Sequence, residues 1–389
     1  RQLAQLNAFL NAALAGQGQV VLVTGDPGSG KTALMDAFAQ RAMEAHPGLL
    51  VATGNCNAYS DVGDPYLPFR DVMAVLTGDV ETRWDAGAIT RDHARRLWAA
   101  FPRVVQALLE HGPHLLEVLV PGAALLSRAM LTEQPADLLL PRLRERVSRL
   151  ETGSIDVEQS HLFQQVTDVL RNVAQEQPLL LVLDDIQWAD VASISLLFHL
   201  GRRLAGVDSR VLIACAYRPE EVAVSRHSIL RQAQDGALRQ AQDGALRQAQ
   251  DGALRQAQDG ALRQAQDGAL RQAQDGALRQ AQDGALRQAQ DGALRQAQGS
   301  ALRQAQRHPL QKVLSELKRT FGDIWIDLSA VGESEAREFV DALVDSEPNR
   351  LAEGFRQALF RQTGGQPLFT IELLRGMQER GSLVRDEDR

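Results

Sequence analysis

The sequence is poor in several features that would have placed it quickly. Its only two cysteines, Cys56 and Cys215, lie far apart and fit no metal-ligand spacing, which excludes a cysteine-built metal site. Cys215 falls in the apolar run VLIACAY and is expected to be a packed core residue. Positive charge is not in excess: the formal net charge is −7, which argues against a generally basic nucleic-acid-binding surface. No apolar run approaches the roughly 18 residues of a membrane span and no signal-peptide pattern opens the chain, so a cytoplasmic protein with no membrane partner is expected. An initiator methionine is also lacking. The chain starts at Arg1 and closes on the charged run Arg385 to Arg389, so we expect a piece of a longer protein with its output or sensor domains outside this segment. What is present is ordinary for globular protein: 389 residues, 44% hydrophobic and 23% charged, are enough for two domains and a core of useful size.

One stretch organises the rest, Val20 to Thr32, VVLVTGDPGSGKT. Its aliphatic start reads as a buried strand, and the pattern from Thr32 to Ala45 reads as an amphipathic helix. Between them Gly25, four residues (Asp26, Pro27, Gly28, Ser29), Gly30, Lys31 and Thr32 fit G-x-x-x-x-G-K-[ST] without exception. Gly25, Gly28 and Gly30 permit backbone torsions and close approaches that turn successive amides toward phosphate oxygens. Lys31 supplies a mobile charge for the β- and γ-phosphates, Thr32 a hydroxyl for Mg²⁺, and the helix start its unpaired N–H groups. A nucleoside triphosphate is the natural ligand.

Arg1 to Ala15 reads as an amphipathic helix before the first strand, and Leu49 to Thr53 as a second strand. From Gly54 to Asp156 a proline-pinned turn, Asp64 to Phe69, leads into helical stretches Ala94 to Leu109, Leu115 to Leu131 and Leu138 to Leu150, together a helical insertion. Its arginines, Arg95, Arg96, Arg142, Arg144 and Arg146, are expected on solvated faces. Val157 to Gln175 is another amphipathic helix, stopped by Pro178.

Leu179 to Leu183 is a wholly apolar strand that delivers Asp184 and Asp185 to its C-terminal end, the edge where ligands gather in open α/β sheets. There Asp184 would hold the Mg²⁺ shell and Asp185 would orient or deprotonate the attacking water. After a helix, Ser193 to Leu204, the strand Val211 to Tyr217 ends at Arg218, which can sense a γ-phosphate or pair with Glu220 or Glu221. Arg202 and Arg203 can serve as arginine fingers toward a neighbouring subunit or simply as cations at a helix C-terminus.

GDPGSGKT, LVLDDIQWAD, ACAYRPEE and TGGQPLFTIELL together resemble the signal-transduction ATPases with numerous domains, a branch of the AAA-like P-loop ATPases. More narrowly, they resemble the ATPase modules of bacterial transcription activators and cyclases, related also to origin-recognition ATPases. The resemblance covers most of the chain outside residues 230 to 306. It implies a five-stranded parallel α/β core followed by a helical lid. ATP and Mg²⁺ are the expected ligands, and nucleotide-dependent self-association is expected. The resemblance also implies phosphate and metal roles for Gly30, Lys31 and Thr32, metal and water roles for Asp184 and Asp185, and a place for Pro367 near the adenine. The family's Gly-Arg-Glu box before the first helix is absent or truncated, with Arg1 near its remnant.

From Leu230 the octapeptide LRQAQDGA runs eight times unchanged to Ala293, followed by variant copies to Gln306. Eight residues of helix leave successive leucines turned by about 80°, so they cannot share one face. A glycine in every unit weakens a helix by about 1 kcal/mol relative to alanine. The tract is expected to be a weakly structured insertion within one loop, between Arg226-His227 and Arg307-His308. Leu310 to Arg319 then reads as a helix, Ile324 to Leu328 as the fifth strand, and Glu333 to Asp345, Asn349 to Gln362 and Leu368 to Glu379 as a lid with Phe339, Leu343, Leu351, Phe355 and Leu359 in its core.

The expected domains are therefore a P-loop ATPase core over 1–229 with a helical insertion at 54–156, the repeat over 230–306, the end of the core over 307–330 and the lid over 331–389. The functional expectation is an ATP-hydrolysing regulatory switch, with Lys31, Asp185 and Arg218 as its catalytic set. The alternatives are a non-catalytic scaffold that holds ADP, and an origin-recognition-type ATPase, for which a basic DNA-binding domain is missing from this segment.

Overall fold

The computed structural model describes residues 1–56, 65–85, 87, 89–131, 139–150, 158–204, 208–222, 308–329 and 332–383. The octapeptide repeat, the loop halves at 226–227 and 307, and the start of the proline-pinned turn lie outside the described residues. The chain divides into two compact units, one of Arg1–Glu220 with Lys312–Arg389, the other Glu221–Gln311.

The first unit is built on five strands, β1 (Gln19–Thr24), β2 (Leu50–Asn55), β3 (Leu179–Asp184), β4 (Val211–Tyr217) and β5 (Trp325–Asp327), in the order β2-β3-β4-β1-β5. All neighbours are parallel, as expected from the sequence. Parallel strands bury both faces, which is why β1, β3 and β4 read as unbroken apolar runs rather than as alternation. On one face Val21, Val23, Val51, Leu180, Val182, Leu212 and Ala214 pack with Leu6 and Leu10 of α1 (Gln2–Leu14) and Met35 and Phe38 of α2 (Lys31–Ala45).

On the other face lie α10 (Val191–Leu204) and α11 (Pro309–Phe321). A Cβ at Gly201 of α10 would meet Leu317 Cδ2 of α11 at 2.7 Å and Val20 Cγ2 at 3.6 Å, so the three elements pack side chain to backbone at this glycine. Cys215 is fully buried, and burial pushes its thiol pKa up.

Between β2 and α9 (Gln159–Glu176) the chain makes α3 (Leu67–Leu76), α4 (Glu81–Asp85), α5 (Arg91–His111), α6 (Leu115–Val118), α7 (Gly122–Leu131) and α8 (Leu139–Leu150). The stretch Leu115 to Leu131, expected as one helix, is two. Pro121 has no N–H to donate and a ring that opposes the preceding turn, so it separates α6 from α7.

Two of the arginines expected on solvated faces, Arg96 and Arg146, are half-buried. Arg96 donates from Nη1 to Met43 O at 2.7 Å and His46 O at 3.3 Å, closing the C-terminal carbonyls of α2. Beside it His93 is buried, with Nε2 2.9 Å from Val51 O in β2. Burial lowers its pKa, the hydrogen bond to Val51 raises it, and the Arg96 charge lowers it, with a net shift downward.

After β5 come α12 (Glu333–Val344), α13 (Glu353–Thr363) and α14 (Pro367–Glu379). They close on their own small core of Val340, Val344 and Leu359, flanked by Phe339, Leu351 and Phe355. No helix among the described residues is long and apolar enough to cross a membrane.

Candidate functional site

The site forms where β1, β3 and β4 end side by side. β1 delivers the loop Gly25–Gly30, and two of its glycines adopt the left-handed conformation, Gly28 at φ +78° and Gly30 at φ +86°. Gly30 is the N-cap of α2 and brings no side chain to the first-turn amides, which are left to bind an anion. Ser29 Oγ is buried without a hydrogen-bond partner among the described residues.

Lys31 is buried, and its Nζ donates to Gly25 O and Asp26 O, both at 2.9 Å. Two of the three ammonium donors are spent on neutral carbonyls, and no carboxylate forms an ion pair with it among the described residues. Burial and the Arg218 charge lower the Lys31 pKa, opposed by Asp185, Asp184 and Asp26. A buried cation with one donor to spare, beside uncapped amides and an orphaned hydroxyl, suits a phosphate group.

Thr32, in the first turn of α2, donates from Oγ1 to Asp184 Oδ2 at 2.6 Å. This contact joins the loop after β1 to the end of β3 and sets two hard oxygen ligands together, the donor type and number that Mg²⁺ takes from protein when phosphate and water oxygens complete its shell. Asp184 Oδ1 accepts from the Asp185 N–H at 2.8 Å, which fixes the carboxylate plane. Nearby Asp36 has a raised pKa, from burial first and the Asp184 charge second.

Asp185 sits at φ +52°, a conformation aspartate tolerates better than most residues. Its Oδ1 accepts from Gln187 Nε2 at 2.8 Å and lies 3.5 Å from Arg218 Nε. To the partners the sequence leaves open for Arg218, the structure thus adds Asp185. Asp190, at the end of LVLDDIQWAD, caps α10: its Oδ1 accepts from Ala192 N at 2.8 Å and Ser193 N at 2.9 Å.

The segment that leads into α14 reaches the same loop. Gln366 Nε2 donates to Pro27 O at 2.9 Å, and Leu368 N to Gly28 O at 3.2 Å. Pro367, the first residue of α14, lies against Gly30, where a Cβ would come within 3.7 Å of Pro367 Cγ. Asp26 is held at its N–H and carboxylate by Ser329 Oγ, at 3.2 and 3.3 Å. Arg1 pairs with Glu335 of α12 at 3.1 Å.

The structure therefore gathers Gly25 to Thr32, Asp184, Asp185, Arg218 and Pro367. It does not bring Arg202 and Arg203 to them. Those two residues end α10, which runs back from the C-terminal edge of the sheet, and their contacts are local: Arg202 lies 5.6 Å from the Phe198 ring, and Arg203 O accepts from Arg171. Sequence reasoning missed Gln187, Gln366 and Ser329. Only Gln187 carried a signal, as a polar residue in a short turn directly after the paired carboxylates.

A parallel sheet of this order, with a glycine loop leading into α2 and a carboxylate pair on a neighbouring strand, defines a P-loop nucleoside-triphosphatase fold. Within that class the chain belongs to the AAA ATPase domain family, whose sequence pattern it matches over residues 1–214. The match ends inside β4, so Arg218 and helices α12 to α14 lie beyond it. Comparison with curated proteins gives no match.

Proposed function

We propose that the chain is an ATP-hydrolysing switch, in which nucleotide is held between the core and the lid and its hydrolysis changes the contact between them. The observation that carries the reading is the 2.6 Å contact of Thr32 with Asp184, with Lys31, Asp185 and Arg218 grouped around the same sheet edge. The loop amides and Lys31 bind the phosphates, while Thr32 and Asp184 hold Mg²⁺. When bound, Mg²⁺ would supply charge neutralisation to the phosphate oxygens. Asp185 orients a water and takes its proton as the water oxygen attacks the γ-phosphorus and ADP leaves. Arg218 moves from Asp185 toward the γ-phosphate, so that it reads whether that group is present.

The lid's hold on Pro27 and Gly28 supports the switch part of the reading, because it ties α14 to the loop that changes ligand. The resemblance named above supports a place in a larger signalling or transcription-regulatory protein.

The test is to denature the purified chain, identify any released nucleotide, and compare steady-state ATP turnover with Asp185→Asn. Turnover that depends on Asp185 is the expected result. Bound ADP with no turnover in either protein would instead favour a scaffold that holds nucleotide without hydrolysing it.

A further inference from the structure

We infer that Gln187 is a positioning residue for hydrolysis, its side-chain amide fastening the Asp185 carboxylate to the edge of β4. This inference rests on the ATPase reading above and names a residue that reading does not use. Gln187 belongs to the short 3-10 turn Ile186–Trp188 after β3, and it is 4% exposed. Both ends of its amide are engaged: Nε2 donates to Asp185 Oδ1 at 2.8 Å, and Oε1 accepts from the Arg218 N–H at 3.1 Å.

The orientation of this amide is not ambiguous. A carboxylate only accepts and a backbone N–H only donates, so the reverse orientation would set oxygen against oxygen and N–H against N–H. The bridge therefore joins the end of β3 to the first residue after β4 at a fixed length.

Three features make this more than local packing. Asp185 stands in the left-handed region at φ +52°, a conformation its neighbours have to hold. The Gln187 bond and the Arg218 approach both fall on Oδ1, so Oδ2, which has no hydrogen-bond partner among the described residues, is the oxygen left to accept from a water. And the two residues the amide joins, Asp185 and Arg218, are those assigned to the water and to the γ-phosphate. When Arg218 leaves Asp185 for a phosphate, Gln187 remains as the group that keeps the carboxylate in place.

The test uses the full 389-residue chain and four variants. Gln187→Leu removes both hydrogen bonds. Gln187→Glu keeps the acceptor for the Arg218 N–H and loses the donor to Asp185, and it also serves if the leucine variant does not fold. Asp185→Asn and its double variant with Gln187→Leu complete a cycle.

Hydrogen exchange of the nucleotide-free protein should show the Arg218 amide exchanging faster in Gln187→Leu and as in the wild type in Gln187→Glu. ATP turnover should fall roughly 10- to 100-fold in both, the scale of a displaced catalytic group. Affinity for a fluorescent ATP analogue should stay within about threefold, and the double variant should be no slower than Asp185→Asn alone.

Wild-type turnover that is matched by Gln187→Glu, or a Gln187→Leu loss that multiplies fully with that of Asp185→Asn, overturns the positioning role and leaves the ATPase reading standing. No turnover in the wild type overturns the ATPase reading and this role with it.

Discussion

Gly54 offers the sharpest test of how the helical insertion is seated on the sheet. It lies in β2 opposite Leu183 of β3, one residue before the pairing of Asn55 with Asp184. A Cβ built there would stand 2.0 Å from Pro68 O, 2.8 Å from Pro68 C and 3.1 Å from Pro68 Cα. These are backbone atoms of α3, so no side-chain rotation relieves the clash. An ordinary carbon-to-oxygen approach is about 3.3 Å, so either α3 must lift by roughly 1 Å or β2 must lean away from β3.

Overpacking of this kind in a tight core costs typically about 1–3 kcal/mol, and two apposed backbones place Gly54→Ala at the upper end, about 3 kcal/mol. Gly48→Ala is the control: nothing lies within 4 Å of a Cβ there, and its effect should stay within about 0.5 kcal/mol. The assay is urea unfolding of both variants followed by far-UV circular dichroism, comparing midpoints at unchanged slope. Because Asn55 pairs with Asp184, ATP turnover of Gly54→Ala should fall as well. A Gly54→Ala protein as stable as the control would refute the close seating of α3 on β2.

Acid should weaken the fold through His93. Its pKa in the folded state lies below the ordinary value of 6.5, so its contribution is intact above pH 6.5 and is lost as falling pH protonates the unfolded chain first. The slope is up to about 1.4 kcal/mol per pH unit until the folded value is passed. Urea midpoints between pH 7.5 and 5 should fall in the wild type and be flatter in His93→Gln; an equal slope in both would assign the loss elsewhere. Arg96→Ala should cost about 1 kcal/mol by freeing the Met43 and His46 carbonyls at the end of α2, read as a shift in thermal midpoint; no shift would mean that water closes that helix equally well. Gln366→Ala should speed release of a fluorescent ADP analogue about 2- to 5-fold in stopped-flow measurements by removing the bond to Pro27 O, and an unchanged rate would detach the lid from nucleotide exchange.

Much of the core was legible before the fold was known, because its signals are local. Three apolar runs gave β1, β3 and β4 directly, since a strand buried on both faces is apolar along its length. The phosphate loop was legible for the same reason: its glycines answer to torsions at single residues, and Gly28 and Gly30 do hold positive φ. The single helix expected from Leu115 to Leu131 failed where its apolar spacing was read through Pro121, whose effect is local but overrides periodicity. Arg96 was misplaced because a charged residue on a helix gives no sign in sequence of which carbonyls lie within its reach.

By itself the sequence determined the strands, the glycine loop and the two carboxylates, each specified by the residue types in one short window. The two motifs already set Thr32 and Asp184 at one metal; only the tertiary structure decided the direct contact between them, the meeting of Asp185 with Arg218 through Gln187, and that of Gln366 with Pro27. The physical reason is distance along the chain. Thr32 and Asp184 are separated by 152 residues, and Gln366 and Pro27 by 339, so their meeting depends on strand order and register, which no local pattern encodes.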